Sequence, residues 1–427
     1  MRETRGGSAA FTARLAISAA GMALVAWALF ADAHWAERHV LASYCATNPA
    51  EWVVARGVRW LAGALGVVAA SALAPALARR IGSTSPRARA GSLVGIALAI
   101  AASLGVTELY MRQLHGRLAL GARSPLATER DAPMTRVDPR LGWSYFPGRT
   151  TWVELGERRI AYAIDPDGDR AASAGELADR ARPTVLFAGE SIAFGYGLAY
   201  EETFPFLVGR ELGVQTANLA VVGFGNDQAY LRVLDALPRY RRPLAVVTLF
   251  VPDQIKRNAD PWRPRLALGS DGALTLVAPS AGPRIARLLQ QLPYRGDEAL
   301  RVTAAILRAT AEAARARGAF PLFVVTNYGP ACKHDDGEEA WVVDELFVRQ
   351  GLPFVRVDLA REDRLPGLFE DHPSPRGARA IAAAIERALQ SRAGGYPPAK
   401  PVGDPPPQDS APLTGGRTDR PGGSWGG

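Results

Sequence analysis

Cysteine is nearly absent from this chain: two residues in 427, Cys45 and Cys332, lie far apart and form no CxxC pair. That excludes a CxxC redox motif and a zinc-finger spacing, and no disulfide is expected. A basic stripe interleaved with aromatics is also missing. The net charge is +8, but its arginines are scattered along the chain, which argues against a nucleic-acid-binding module. Histidine is scarce, with five residues, so few side chains can act as a base near neutral pH. Nothing in the sequence calls for a cofactor or a metal.

Apolar material is plentiful. The chain is 48% hydrophobic and 22% charged, and it is longer than one typical domain. Three runs, Leu15–Ala31, Trp60–Ala78 and Ala90–Thr107, carry no charge and show no period-2 alternation. Each approaches the length of a bilayer span, so a membrane region of about three helices is expected over residues 1–110. Arg79, Arg80, Arg87 and Arg89 lie between the second and third runs with no acid among them. The positive-inside rule makes that loop cytoplasmic and puts everything after about Thr107 outside the cytoplasm, as expected of a multi-pass inner-membrane protein. Ala31-Asp-Ala33 also fits a signal-peptide cleavage site, a second reading of the first run with the same consequence for the C-terminal part. No charged pair or histidine lies inside the runs, so they anchor rather than conduct.

Residues 111–182 read as a linker with a weakly alternating hairpin at Val153–Ala163. From 183 to 392 short apolar runs alternate with helical ones. Strands are expected at Thr184–Ala188, Asn218–Val222, Leu244–Val251, Phe320–Val325 and Phe354–Asp358. Helices are expected after Thr203, after Asn226 or Asp227, over Asp297–Arg317 and Trp341–Arg349, and from Pro375 onward. This pattern implies an α/β domain with a parallel sheet covered on both faces. Residues 393–427, rich in Pro, Gly and Ser, are expected to be disordered.

In such sheets ligands bind at the carboxyl ends of the strands. Ser191, in Phe187-Ala-Gly-Glu-Ser-Ile-Ala-Phe-Gly-Tyr-Gly197, lies at one of those ends. A nucleophilic serine needs a base within hydrogen-bond reach. His372, in Phe369-Glu-Asp-His-Pro-Ser-Pro-Arg-Gly377, lies in a carboxyl-end loop on the same side, and Glu370 or Asp371 is placed to orient its imidazole.

These blocks, in this order, resemble the SGNH (GDSL-type) hydrolases. Gly189-Glu190-Ser191 matches the family's first block with Glu for Asp, Asn218 and Gly223 resemble the second, and Glu370-Asp-His-Pro resembles the last. The resemblance covers roughly Pro183–Leu389 and implies a three-layer flavodoxin-like fold with ester or acyl-transfer chemistry. It further implies that the amides of Ser191 and Gly223 face the oxyanion. The third block departs from the pattern. Pro252 stands where an Asn side chain would donate to the oxyanion, and Gln254 and Asn258 are the nearby amides that can substitute for it. By spacing, Glu370 comes closer than Asp371 to the family position of the acid.

Two functions fit. One is a membrane-anchored, extracytoplasmic serine esterase or acyltransferase acting on acylated cell-envelope glycans or related esters. The other is a catalytically weak or inactive relative that binds glycans or partners in the same cleft. A reporter fused after Arg182 is expected to be active only if it matures outside the cytoplasm; activity of a cytoplasm-only reporter there would overturn the orientation.

Overall fold

The computed structural model describes residues 3–31, 49–83, 105, 134–155, 158–260, 263–279, 296–327, 336–366 and 372–392. Helix α1 spans Glu3–Phe30. Helix α2, Pro49–Val68, continues through a π-helical turn at Ala69–Leu73 into α3, Ala74–Ser83. Pro75 has no N–H for the carbonyl one turn earlier, so regular helix bonding fails there and the wider turn takes its place. The segments Phe11–Phe30 and Arg59–Arg79 are each long and apolar enough to cross a membrane. A Cβ on Gly21 would stand 2.6 Å from the Gly66 carbonyl oxygen, so the two backbones touch at that crossing. Arg59 donates to the carbonyls of Ala28 (2.5 Å) and Leu29 (3.3 Å), two of those that the C-terminal end of α1 leaves without an intrahelical partner. The third expected span, Ala90–Thr107, lies outside the described residues except for Gly105, and so does the tail after 392.

The remainder is an α/β fold. Its strands are β1 (Thr135–Asp138), β2 (Gly142–Tyr145), β3 (Arg149–Leu155), β4 (Arg158–Ile164), β5 (Arg170–Ala171), β6 (Pro183–Ala188), β7 (Gln215–Asn218), β8 (Arg242–Phe250), β9 (Arg265–Leu268), β10 (Leu274–Val277), β11 (Phe320–Thr326) and β12 (Phe354–Val357). Its helices are α4 (Ser191–Phe194), α5 (Phe204–Leu212), α6 (Asn226–Ala236), α7 (Asp253–Asn258), α8 (Gly296–Ala316), α9 (Asp336–Val343) and α10 (Pro375–Arg392). The eight-stranded sheet runs β12-β11-β8-β6-β7-β5-β4-β3. The five strands from β12 to β7 are parallel, and β5, β4 and β3 extend them antiparallel. The expected hairpin at Val153–Ala163 is thus part of the main sheet.

Both faces of the parallel strands are apolar, and strand alternation divides them. Val185, Phe187, Val247 and Val324 pack toward α5 and α10, with Leu207, Ile381 and Ile385. Leu186 and Val246 meet α6 through Val233 and Ala236, while Phe250 and Phe323 meet α8 and the segment after α9 through Leu307 and Phe347. Thr203 caps α5 as its sequence suggests, accepting from the Phe206 N–H at 3.4 Å. Neither Asn226 nor Asp227 caps α6. Gly225 holds that position, and the Gln228 side chain accepts from its N–H at 3.0 Å. The second expected strand begins earlier and stops at Asn218. Beyond it, the N–H groups of Val221 and Val222 turn to the Gly189 carbonyl and the Tyr145 hydroxyl.

The turn between β4 and β5 concentrates three carboxylates. Asp165 accepts from the N–H groups of Asp167 (2.8 Å) and Asp169 (2.9 Å). Asp169 pairs with Arg232 on α6, and Asp167 with Arg180 at 3.1 Å. Burial, reinforced by the Asp169 charge, pushes the Asp165 carboxyl up to about 7 from 3.8. The native state therefore keeps a proton that the unfolded chain releases, and stability falls as pH rises from about 4 through 7. Asp165→Asn keeps the acceptor oxygen without the charge. Its melting temperature relative to the parent is expected to rise between pH 5 and pH 8 in thermal denaturation; an equal difference at both values would show that Asp165 titrates normally.

Candidate active site

Strand β6 delivers the chain to a turn that only glycine tolerates. Gly189 has φ 148°, and a Cβ there would lie 3.0 Å from the Ala193 Cβ and 3.1 Å from the Leu249 Cβ. Glu190 then caps α4, its Oε1 accepting from the Ile192 N–H at 2.9 Å. The other oxygen, Oε2, accepts from the Ser191 hydroxyl in a short contact and lies 3.5 Å from Arg257 NH1. On its other side Ser191 Oγ is 2.8 Å from His372 Nε2, across 181 residues of sequence. The single hydroxyl proton thus has two acceptors in reach, a carboxylate and an imidazole nitrogen.

His372 is held by its backbone. The Leu365 N–H donates to the His372 carbonyl at 2.8 Å, an antiparallel bridge joins Arg364 to Pro373, and the Ser374 N–H donates to the Asp363 carbonyl at 2.8 Å. Arg364 ties this loop to the end of β11 through Asn327 Oδ1 at 2.6 Å. The Tyr196 ring lies 5.7 Å from the imidazole, centroid to centroid. Of the five histidines, only His372 lies among the described residues, whereas Glu370 and Asp371 fall outside them.

The loop after β7 lies beside Ser191. Asn218 spans the two loops rather than facing the cleft: Nδ2 donates to the Ala193 carbonyl at 3.0 Å and Oδ1 accepts from the Ala220 N–H at 3.2 Å. Gly223 has φ 82°, and Trp143 covers it, standing 3.3 Å from where a Cβ would be. The Trp143 indole N–H donates to the Val222 carbonyl at 3.0 Å and the Val222 N–H to the Tyr145 hydroxyl at 3.0 Å, so β2 fixes this loop from outside. Among the described residues, the N–H groups of Ser191 and Gly223 make no hydrogen bond.

Helix α7 follows β8 and begins just after Pro252. Gln254 is completely buried. Its oxygen accepts from the Val251 N–H (2.9 Å) and from Asn226 (3.1 Å), and its nitrogen has no partner among the described residues. Asn258 is equally buried. It donates to Thr303 (2.8 Å) and Asn226 (3.3 Å) and accepts from the Asp227 N–H (3.2 Å). Arg257, on the same short helix, is the residue that reaches Glu190, and its NH1 also donates to the Phe224 carbonyl at 3.1 Å.

Sequence reasoning missed Arg257, which sits in Asp-Gln-Ile-Lys-Arg-Asn without any motif around it. It also missed Arg170, on β5 and only 2% exposed. NH1 of Arg170 donates to the carbonyls of Phe194 (2.6 Å) and Gly195 (2.8 Å), and NH2 to that of Leu198 (2.7 Å). The guanidinium lies over Tyr162 and Phe194 at 4.7 and 4.6 Å from the ring centroids. Burial pulls its pKa down, opposed by Tyr162 and Tyr145, yet a guanidinium stays protonated in such a site.

No family model matches the chain, and no curated protein matches it. Among solved structures it is similar to a member of the lipolytic protein G-D-S-L family from Veillonella parvula DSM 2008, at 12% identity and a TM-score of 0.31 over 48% of this chain and 96% of that one. It is also similar to an acetyl xylan esterase from the rumen bacterium Butyrivibrio proteoclasticus, at 12% identity and 0.34 over 51% and 66%. A salicylyl-acyltransferase from a tetracycline biosynthetic pathway matches at 14% identity and 0.30 over 56% and 60%. At such scores the likeness carries no conclusion about the site, which stands on its own distances.

Arg170→Met is expected to leave the Phe194 and Leu198 carbonyls unbonded beside Ser191, while the Gly195 carbonyl keeps the Leu198 N–H at 3.1 Å, and to cost roughly 2 kcal/mol or more in urea unfolding. Arg170→Lys should recover only part of this, since an ammonium cannot span the same carbonyls as the planar fork. A loss below about 1 kcal/mol for Arg170→Met would show that water satisfies those carbonyls equally well.

Proposed function

We propose that this chain is a serine esterase or O-acyltransferase. The observation that carries the reading is the 2.8 Å approach of His372 Nε2 to Ser191 Oγ, on a serine presented by a strand-to-helix turn. In the first half-reaction Ser191 Oγ bonds to the acyl carbon and its proton passes to His372 Nε2. The carbonyl π pair moves onto oxygen, which the Ser191 and Gly223 amides receive. Collapse breaks the bond to the leaving alcohol, and His372 returns the proton to it. Water or an acceptor hydroxyl then repeats the sequence on the acyl-serine, giving hydrolysis or transfer. Glu370 or Asp371 orients the imidazole, with Glu370 the assignment favoured by spacing.

Anchoring in the membrane accords with the two apolar helices, and the arginine loop beginning at Arg79 supports an extracytoplasmic position for the α/β domain. The substrate class that suits such a location is the acylated glycan, or a related ester, of the cell envelope.

A fluorophosphonate probe is expected to label the parent and not Ser191→Ala. On a simple aryl acetate, Ser191→Ala, His372→Ala and the double variant should each lose about 1000-fold or more, to a similar level, because members of one catalytic unit are not additive. Losses that multiply would assign the two residues separate roles. An unlabelled parent without esterase activity would favour the binding-protein reading instead.

A further inference from the structure

We infer that Arg257 is the side chain that stabilises the oxyanion, in the place where Pro252 offers no donor. This rests on the serine hydrolase reading and adds a residue to it. The two side-chain amides near Pro252 are buried, and the nitrogen of Gln254 has no partner among the described residues. Gln254 and Asn258 are buried at 0% and 1% exposure, and the oxygens of both and the nitrogen of Asn258 are engaged in a network with Asn226, Val251, Asp227 and Thr303. Arg257 comes from the same helix but keeps its side chain 25% exposed.

Its position sets a cation beside the loops that carry the Ser191 and Gly223 amides. NH1 donates to the carbonyl of Phe224, the residue next to Gly223, and approaches the Glu190 oxygen that accepts the Ser191 hydroxyl. The guanidinium therefore bridges the two loops whose amides, Ser191 N–H and Gly223 N–H, make no hydrogen bond among the described residues. A carbonyl oxygen bound between those amides gains a full negative charge when Ser191 attacks, one contact away from a fixed cation. Charge-assisted donors in a water-poor cleft are stronger than neutral ones. Glu190 has a matching part. In the resting enzyme its carboxylate balances Arg257, and it holds the Ser191 hydroxyl until His372 takes the proton.

The test is steady-state kinetics on an aryl acetate with Arg257→Met and Arg257→Lys, with folding checked by near-UV circular dichroism. Arg257→Met is expected to lower kcat about 100-fold or more with little change in KM, as for an interaction made only in the transition state. Guanidinium ion added to that variant should restore part of kcat, and Arg257→Lys should fall between the two. Should Arg257→Met not fold, Arg257→Gln retains a donor for the Phe224 carbonyl and is expected to show the same kcat loss with guanidinium rescue. An unchanged kcat, or a loss that guanidinium does not relieve in a folded variant, overturns the assignment of Arg257. Turnover that survives Ser191→Ala overturns the serine hydrolase reading itself, and the two failures are thereby distinct.

Discussion

A buried guanidinium holds the turn that carries Ser191 in shape. The helix that starts at Ser191 is four residues long and satisfies few of its own carbonyls. Arg170 supplies donors to three carbonyls in the stretch from Phe194 to Leu198, and Tyr162 adds its hydroxyl as acceptor for the Gly197 N–H at 2.8 Å. Without those contacts the glycines at 195 and 197, both with positive φ, would leave the turn free to choose among many backbone states. Both supporting residues come from the antiparallel extension, upstream of every motif that carries chemistry. The extension is therefore a structural part of the site.

Charge is handled the same way elsewhere. Two of the three carboxylates between β4 and β5 are matched by arginines, Asp169 by Arg232 on α6 and Asp167 by Arg180, and Arg263 donates both to the Gly223 carbonyl (3.0 Å) and to Gln228 (2.9 Å). What reads in composition as a scattered arginine excess becomes, in the fold, a set of clamps on carbonyls and carboxylates. Arginine suits this work because its planar fork reaches several acceptors at once and keeps its charge when buried.

Much of the fold was legible in the sequence because parallel strands buried on both faces are short apolar runs, and Val185, Val247 and Val324 announce themselves that way. The serine and the histidine were legible because each sits in a turn at a carboxyl end, beside residues whose types chemistry requires. Other features were hidden for identifiable reasons. β5 is two residues long and shows no periodicity, yet it carries Arg170 and joins the extension to β7. Asn218 looked like a site residue because its type and place fit one, whereas its side chain fastens two loops. The contact of Arg257 was invisible because it arises from the approach of α7 to Glu190 across 67 residues, which no local pattern encodes.

The extension also changes which strand is left with an open edge. A sheet ending at β7 would present Gln215-Thr-Ala-Asn218, an uncharged segment, to any passing chain. With β5, β4 and β3 added, the edge becomes Arg149-Thr-Thr-Trp-Val-Glu-Leu155, with a cation near one end, a carboxylate near the other, and Arg159 lying over Trp152 at 4.7 Å. Charged edges resist strand addition by a second molecule. The same segment that steadies the Ser191 turn thus guards the domain against edge-to-edge aggregation, so constraints of solubility and of site geometry act on one stretch of chain.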